Sequence, residues 1–287
     1  LNSSRIKPAI VLNMYLDLYD PAPRIWQKFA KQMQCKWAGI HMDMTHTLVG
    51  RPYFKSDKAI VIYTINDPPQ KAVNSHAYQW LPDVTDTTLP NHASDLAISI
   101  KKQAAGRKII FLGGAIGGTK NLSLWSEVIF KMDPAQWFFV QIGKIDYATL
   151  SNSDLRGLKK IQTSALENVY LEDAYLQNET IFNEIINIST VIWGLYRDFD
   201  RSSNILTKAA LFSKPIIVSD RYLMGQRVNE YKIGRAVSES DVDEVVTAIT
   251  SLVNQPIEKA NYAKYAAIYS TQALAEKLDQ SLQSAIC

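Results

Sequence analysis

The sequence contains few of the residues that build disulfide frameworks and metal centres. Its two cysteines, Cys35 and Cys287, lie far apart, so we expect no disulfide scaffold and a reducing, cytoplasmic location. All four histidines lie in the first half of the chain. The stretch HMDMTH over residues 41–46 has two of them but no third close nitrogen or thiolate ligand, so no metal site is predicted.

Excess charge of one sign and long apolar runs are also missing. Lys and Arg number 31 against 28 Asp and Glu, which gives a net charge of +3. This excess is too small to indicate a nucleic-acid partner, although it is compatible with an anionic ligand. No apolar run approaches the ~18 residues of a membrane span. A spanning helix is therefore not expected, and peripheral contact with a membrane stays open.

The length of 287 residues predicts two domains. The segment PDVTDTTLP, residues 82–90, is rich in turn-forming residues and marks the predicted boundary. We expect a partial N-terminal α/β domain over 1–90 and a second domain, with C-terminal helices, over 91–287. Because the chain begins with Leu1 instead of methionine, we also expect sequence to be missing before it.

Short apolar runs alternate with amphipathic ones, which predicts an α/β fold with parallel strands and helices on both faces. The second half is predicted to be a doubly wound, Rossmann-like sheet, whose ligands bind beyond the carboxyl ends of the strands. Predicted strands cover 9–14, 38–42, 60–65, 78–81, 108–112, 137–142, 168–171, 191–194, 215–218 and 234–237. Predicted helices cover 24–33, 122–131, 154–163, 181–187, 205–212 and 223–230, with further helix after 254.

The segment DRSSNILTKAALFSKPIIVSD, residues 200–220, places a polar cluster at the start of a predicted helix. Ser202, Ser203 and Asn204 are typical N-cap residues, and apolar residues at helical spacing follow from Ile205. The first helical turn leaves backbone N–H groups without partners at the positive end of the helix dipole, which suits phosphate. Ordinary helix capping is the alternative.

A glycine-rich loop, GGAIGGTKN, follows the strand over 108–112. Glycine allows backbone to approach a ligand closely, so Gly113 and Gly114 are predicted to face a diphosphate, with Lys120 as the counter-charge. The loop matches neither the dinucleotide motif nor the P-loop. A flexible strand-to-helix turn is the alternative.

Two further candidates lie at predicted strand ends. Leu171 ends the strand predicted over 168–171 and Glu172 follows it, at a place where a carboxylate suits the hydroxyls of a sugar or ribose. A solvated helix cap is the alternative. His41 closes an earlier strand and is a candidate base or substrate contact, although a structural histidine is the more common role.

Together these segments resemble the donor-binding half of a GT-B glycosyltransferase, and most closely the retaining group known as group 1 or family 4. Gly113 and Lys120 match the family's first motif, whereas Gly114 stands at its arginine position. Residues 168–171 match the second motif. Ala209, Pro215 and Ile216 match the third. The resemblance covers about residues 95–280, whereas 1–90 resembles only the later strands of the family's acceptor domain.

Two departures concern the third motif, in which the family has two glutamates separated by seven residues. These positions are Asp200 and Lys208. The resemblance implies that Asp200 contacts the transferred sugar in place of the first glutamate. The second glutamate is thought to hold the ribose, a role that Lys208 does not fill as a carboxylate. Lys208 either pairs with a phosphate, or marks a differently bound donor, or marks a protein that has lost catalysis.

The resemblance implies a hexosyltransferase-type enzyme that moves a sugar from a nucleoside-diphosphate sugar to an unknown glycan, lipid or small-molecule acceptor. It implies retention of configuration and no metal or cofactor beyond the donor substrate. The amides of Ser203, Asn204 and Ile205, aided by Lys120, then hold the diphosphate. A non-catalytic module that binds a nucleotide or sugar is the alternative, favoured by Lys208 and Gly114.

Overall fold

The chain folds into two α/β units, each built on its own parallel sheet. The computed structural model describes residues 10–16, 24–25, 28, 32, 35–41, 58–65 and 78–286. The first unit comprises Leu1–Asp83 and Tyr269–Cys287, and the second comprises Val84–Ile268. Each unit contains a parallel sheet, as the alternation of strands and helices predicts, so the predicted α/β class is confirmed.

All ten predicted strands are present. The strands are β1 Ile10–Asn13, β2 Lys36–His41, β3 Ala59–Thr64, β4 Tyr78–Trp80, β5 Lys108–Gly113, β6 Trp137–Ile142, β7 Val169–Glu172, β8 Val191–Gly194, β9 Ile216–Ser219 and β10 Gly234–Val237.

The helices within residues 78–286 include all those predicted there and two that the sequence pattern did not predict, α1 and α7. They are α1 Asp95–Ala104, α2 Leu122–Lys131, α3 Asn152–Thr163, α4 Glu179–Ile188, α5 Asn204–Leu211, α6 Leu223–Tyr231, α7 Val242–Asn254, α8 Lys259–Tyr269 and α9 Thr271–Ile286. Most of the helix predicted over 24–33 lies outside the described residues. Among the described helices, none is long and apolar enough to cross a membrane.

The first unit is built on a sheet of order β1-β2-β3-β4. Its buried residues pack against leucines spaced four residues apart on α9, which therefore present one apolar stripe to the sheet. The Tyr63 hydroxyl donates a hydrogen bond to Ser281 Oγ at 2.8 Å. The packed residues are Ala38, Ile40, Val61, Tyr63 and Leu81 from the sheet side and Leu274, Leu278 and Leu282 from α9.

The position of α9 differs from the domain assignment made on sequence. The prediction placed all of 91–287 in the second domain, whereas the chain after Ile268 belongs to the first unit. The reason is tertiary: the stripe of Leu274, Leu278 and Leu282 fits the first sheet. An amphipathic pattern shows that a helix has an apolar face but not which sheet covers it.

The second unit has a six-stranded parallel sheet of order β10-β9-β8-β5-β6-β7. The chain starts in the centre at β5, builds outward through β6 and β7, and then returns to the other side of β5 with β8. The direction of winding therefore reverses between β5 and β8. In doubly wound sheets the crevice for a ligand lies at this reversal, beyond the carboxyl ends of the strands.

The core of the second unit contains a cluster of three aromatic rings. Trp125 of α2 meets Phe139 of β6 at 5.3 Å between ring centroids and Trp193 of β8 at 5.0 Å, both in edge-on geometry. All three rings are fully buried. Such edge-to-face pairs add to the hydrophobic stabilisation of the rings. They fix α2 on the sheet and so position the loop that precedes it.

Candidate functional site

A cavity of about 270 Å³ lies at the carboxyl edge of the second sheet. Its walls come from the segments that follow β5, β6, β7 and β8, and the winding reversal lies between two of these strands. The lining residues are Gly113, Gly114, Ala115, Lys120, Ile142, Gly143, Lys144, Tyr175, Leu176, Glu179, Phe182, Tyr196, Asn204 and Ile205.

Two glycines allow the backbone at the floor of the cavity to come close together. Gly114 has φ of +90°, a conformation that side chains rarely adopt. A Cβ atom on Gly143 would lie 1.8 Å from the carbonyl oxygen of Gly114. A side chain on Gly143 would therefore displace the loop, whereas one on Gly114 would strain the backbone. The arginine that the resemblance leads one to expect at Gly114 would be strained in this conformation.

Lys120 ends a 3-10 turn, Gly118–Lys120, and its side chain lies along one wall of the cavity. Its Nζ donates to the carbonyl of Gly113 at 3.2 Å and to the Tyr196 hydroxyl at 2.5 Å. Tyr196 is buried. Both acceptors are uncharged, so they orient the ammonium group without neutralising it. The group can therefore attract an anion in the cavity.

The N-terminus of α5 forms the opposite side of the site. The helix begins at Asn204, with Ser203 as the N-cap in extended backbone geometry. Within the described residues, the Ser203 side chain makes no capping hydrogen bond to the helix. Asn204 and Ile205 line the cavity, whereas Ser202 and Ser203 do not. The first turn of α5, which is the positive end of the helix dipole, thus lies at the cavity.

Ser202 is held away from the cavity by a buried arginine. Arg227 of α6 is 2% exposed, and its Nη1 donates to Ser202 Oγ at 2.7 Å. This bond fixes the polypeptide just before α5. Ser202 therefore supports the start of the helix instead of lining the cavity.

Lys208 does not line the cavity. It lies inside the second unit, with a fully buried side chain. Its Nζ contacts Glu179 Oε1 at 2.7 Å, the carbonyl of Asp86 at 2.6 Å and Asn183 Oδ1 at 2.6 Å. An ammonium has three N–H donors, so these contacts account for all of them. This geometry leaves Lys208 no donor for a phosphate, one of the roles considered from sequence.

Leu171 and Glu172 are not among the residues of the cavity wall. Leu171 packs against the core of the second unit. Glu172 accepts a hydrogen bond from the Tyr170 hydroxyl at 2.7 Å. Burial, together with this carboxylate, raises the pKa of Tyr170 to about 12. The acidic residue that does reach the cavity from this region is Glu179, at the start of α4.

Neither of the two residues considered for catalysis is among the residues that line the cavity. Asp200 is half-exposed beside Arg201, 4.0 Å from its Nε, and is not a lining residue. His41 ends β2 in the first unit and is fully buried. Within the described part of the chain, no group of three or more His, Cys, Asp or Glu is placed to hold a metal ion.

A polar network that sequence reasoning missed holds the Lys120 loop in place. Arg197 follows β8 and forms an ion pair with Asp154 at 3.0 Å. Its Nη2 also donates to Asn121 Oδ1 and Ser123 Oγ, at 2.6 and 2.8 Å. The backbone N–H of Arg197 donates to the carbonyl of Thr119 at 2.8 Å. These bonds connect the segments after β5 and β8 directly beside Lys120.

Asp154 is the buried anchor of this network. Burial alone would raise the pKa of its carboxyl group, but hydrogen bonds from Arg197, Ser151 and the Ser123 amide outweigh that effect and lower the pKa to about 2. Ser151 and Asp154 form a capping box at the start of α3. The spacing of these two residues was the one local signal available in sequence, whereas nothing local indicated Arg197.

Comparison with known proteins gives matches by structure and none by sequence. No protein-family model matches the sequence, and no curated protein matches it by sequence. Solved structures do match over nearly the whole chain. One is the sucrose-phosphate synthase of Thermosynechococcus elongatus, with a TM-score of 0.66, 12% identity, and coverage of 96% of this chain and 73% of that chain.

Two other neighbours are similar over the same range. The α,α-trehalose-phosphate synthase (UDP-forming) of Burkholderia xenovorans has a TM-score of 0.66 and 10% identity, over 96% of this chain and 72% of that one. Anabaena Alr3699/HepE, solved in complex with UDP, has a TM-score of 0.72 and 12% identity, over 95% of this chain and 79% of that one. These neighbours are GT-B glycosyltransferases, so the predicted GT-B-like fold is confirmed.

Proposed function

We propose that the protein is a glycosyltransferase that moves a sugar from a nucleoside-diphosphate sugar to an acceptor, with retention of configuration and without a metal. The observation that carries the proposal is the cavity at the winding reversal. It combines the first-turn amides of α5, at Asn204 and Ile205, with the ammonium of Lys120. This combination suits a diphosphate.

The lining of the cavity also suits the rest of a nucleotide. Tyr175 is 71% exposed and lies in the wall together with Leu176. An exposed aromatic ring offers a flat apolar surface on which a base stacks. The UDP in one structural neighbour and the UDP-forming activity named for another support a nucleotide as the ligand.

The same groups would stabilise the leaving group of the transfer. As the bond between the sugar and the diphosphate breaks, negative charge grows on the phosphate oxygen. Fixed donors at Asn204, Ile205 and Lys120 would stabilise that charge without rearrangement. The retaining outcome and the metal-free mechanism rest on the resemblance to the retaining group, and a glycan, lipid or small-molecule acceptor is equally compatible with it.

A nucleotide-binding module without turnover is the second candidate. It is favoured by one observation, the position of Asp200, which is half-exposed and does not line the cavity. Such a module would bind a nucleoside diphosphate through the same amides and the same lysine. It would not hydrolyse or transfer the sugar of the corresponding donor.

The proposal is tested by thermal unfolding with UDP, GDP and ADP, with uridine as a control that lacks the diphosphate. A nucleoside diphosphate at ~100 times its Kd should stabilise the folded protein by about 2.7 kcal/mol. The sugar donors of the diphosphate that binds are then assayed for hydrolysis and transfer. Binding with turnover supports the enzyme, and binding alone supports the module. Stabilisation by none of the three contradicts both.

Replacing Asn204 by proline should weaken diphosphate binding by about tenfold or more, the effect of losing one hydrogen bond to a charged group. Proline is tolerated at the first helical position, and Ser203 already has the extended geometry that precedes proline, with φ of −139° and ψ of 131°. The fold should therefore survive. Isothermal titration calorimetry measures the affinity.

Asn204→Ala is the matched control, because it removes the side chain and keeps the backbone N–H. We expect it to bind several-fold more tightly than Asn204→Pro. Equal losses in both variants would show that the Asn204 side chain is the contact and that the amide does not bind the anion.

Asp200→Asn should reduce transfer much more than it reduces affinity for the nucleoside diphosphate. If Asp200 contacts the transferred sugar, the nucleotide alone lacks the group that it touches, and its contribution appears in kcat/KM. Initial rates with the donor and calorimetry with the diphosphate measure the two effects. Equal losses in both, or no loss of transfer, would contradict this role.

A further inference from the structure

A buried lysine holds a carboxylate at the wall of the cavity. Lys208 is fully buried, and its Nζ contacts Glu179 Oε1 at 2.7 Å, whereas the side chain of Glu179 is 53% exposed and lines the cavity. The other contacts of the ammonium, Asp86 O and Asn183 Oδ1, hold the lysine itself in place. One oxygen of Glu179 is thus anchored from inside the protein.

The remaining acceptor capacity of Glu179 is available to a ligand. A carboxylate has about four lone-pair sites, and the contact with Lys208 occupies one of them. A phosphate would be repelled by this group, since both are negatively charged. The preferred partner is a neutral donor such as a hydroxyl, to which a carboxylate makes short and strong hydrogen bonds.

The cavity therefore presents two kinds of recognition. Lys120 and the start of α5 favour an anion, and Glu179 favours a hydroxyl donor. A nucleoside diphosphate joins both, because the ribose with its two neighbouring hydroxyls follows directly on the diphosphate. A ligand with phosphates alone would leave the carboxylate without a partner and close to like charge.

We propose that Glu179 binds the ribose hydroxyls of the nucleotide and that Lys208 is the positioning residue that holds Glu179 for this contact. This inference rests on the proposed function. It gives Lys208 a role that differs from those considered from sequence. Lys208 stands at the position of the family's second glutamate and would hold Glu179, a carboxylate from the neighbouring helix α4. The acceptor for the ribose hydroxyls would then come from α4 and not from α5.

The test compares UDP, GDP and ADP with their 2′,3′-dideoxy forms by calorimetry. The protein should prefer the ribose form of the nucleotide that binds by about 10- to 150-fold, the range for one hydrogen bond to a charged group. In Glu179→Ala the preference should fall to about threefold or less, while the dideoxy form still binds. The ratio of the two affinities is used because the loss of a negative charge affects both forms alike.

Glu167→Ala is the matched control, because it removes an exposed carboxylate that does not line the cavity. It should keep the preference of the wild type. A second variant, Glu172→Ala, tests the carboxylate that the sequence favoured. If Glu172→Ala abolishes the preference and Glu179→Ala keeps it, the proposal is wrong and the acceptor is Glu172.

The positioning role of Lys208 is tested by Lys208→Met, alone and combined with Glu179→Ala. Each single variant should lower the preference, and the double variant should lower it no further than Glu179→Ala does, since the two residues act as one unit. A preference retained in folded Lys208→Met would overturn the positioning role. Because Glu179 is half-exposed, Glu179→Ala remains decisive even if Lys208→Met fails to fold.

The outcomes also separate this inference from the proposed function. If a nucleoside diphosphate binds, Asn204→Pro weakens it and Glu179→Ala keeps the ribose preference, only the present inference fails. If none of the nucleotides binds the wild-type protein, both proposals fail together.

Discussion

Lys120→Met should weaken binding of a nucleoside diphosphate by roughly 1.5–3 kcal/mol, or about 10- to 150-fold in Kd. The lysine is held at the cavity by the Gly113 carbonyl and the Tyr196 hydroxyl. Neither acceptor carries a charge, so the ammonium is available to an anion. Calorimetry with UDP and GDP measures the loss. Stability should change little, because the side chain is only partly buried.

Two other lysines make this experiment specific. Lys101, exposed on α1, serves as a control for the loss of one positive charge, and Lys101→Met should bind as the wild type does. Lys144 also lines the cavity but pairs with Asp173 at 3.2 Å. A loss of affinity in Lys144→Met with none in Lys120→Met would show that Lys144 binds the phosphate, and it would contradict the role of Lys120.

The strands could be predicted because parallel strands buried on both faces are continuous apolar runs. The helices were predicted less completely. The C-cap of α1 is Ala105 in the left-handed conformation, and Gly106 follows it with φ of +84°, so the sequence did contain the glycine that usually marks a helix end. The helix α7 is rich in Val, Ile and Thr, residues that favour strands as much as helices. Both helices nevertheless begin at a residue whose side chain caps the first turn, Ser94 for α1 and Asp241 for α7, so their starts carried a local signal in the sequence.

Part of the cavity could be predicted from one rule, that strand-to-helix loops converge at the carboxyl edge of a parallel sheet. This rule brings Gly113, Gly114 and Lys120 together with Asn204 and Ile205, and all five line the cavity. Whether they bind a nucleotide stays a prediction.

The rest of the cavity could not be predicted, because it depends on side-chain direction and on contacts distant in sequence. Glu179 and Tyr196 reach the cavity, whereas Glu172 pairs with Tyr170 and Lys208 is buried. Several acidic residues follow β7 in the sequence. Which of them reaches the cavity depends on tertiary packing, and a local pattern does not show it. Lys208 is the clearest example of a position that could not be predicted, because lysine side chains are rarely fully buried.

Asp154→Ala should lower the free energy of unfolding by about 3–5 kcal/mol, because it removes one partner of a buried ion pair and leaves Arg197 without its carboxylate. The Asp154 side chain is fully buried, and that of Arg197 is 29% exposed. The carboxylate also accepts from the Ser123 amide at 2.9 Å. Denaturant unfolding at neutral pH, followed by the fluorescence of buried Trp125 and Trp193, measures the loss.

Asp243→Ala is the matched control for this loss. Asp243 pairs with Lys131 on the surface, and its side chain is 76% exposed. Exposed ion pairs contribute about 0–1 kcal/mol. A loss in Asp154→Ala as small as that in Asp243→Ala would show that the Arg197 network does not stabilise the fold.

The effect of Asp154 should also depend on pH in a defined direction. Its pKa is lowered from 3.8 to about 2 in the folded protein, so the folded state binds the proton less readily than the unfolded chain. The stabilisation is then complete above pH 3.8 and is lost as the pH falls through about 2. The shift corresponds to about 2 kcal/mol. The difference in the free energy of unfolding between the wild type and Asp154→Ala should therefore narrow by about 2 kcal/mol as the pH falls from 3.8 to about 2. A difference that stays constant with pH would mean that the ionised carboxylate is not the stabilising species.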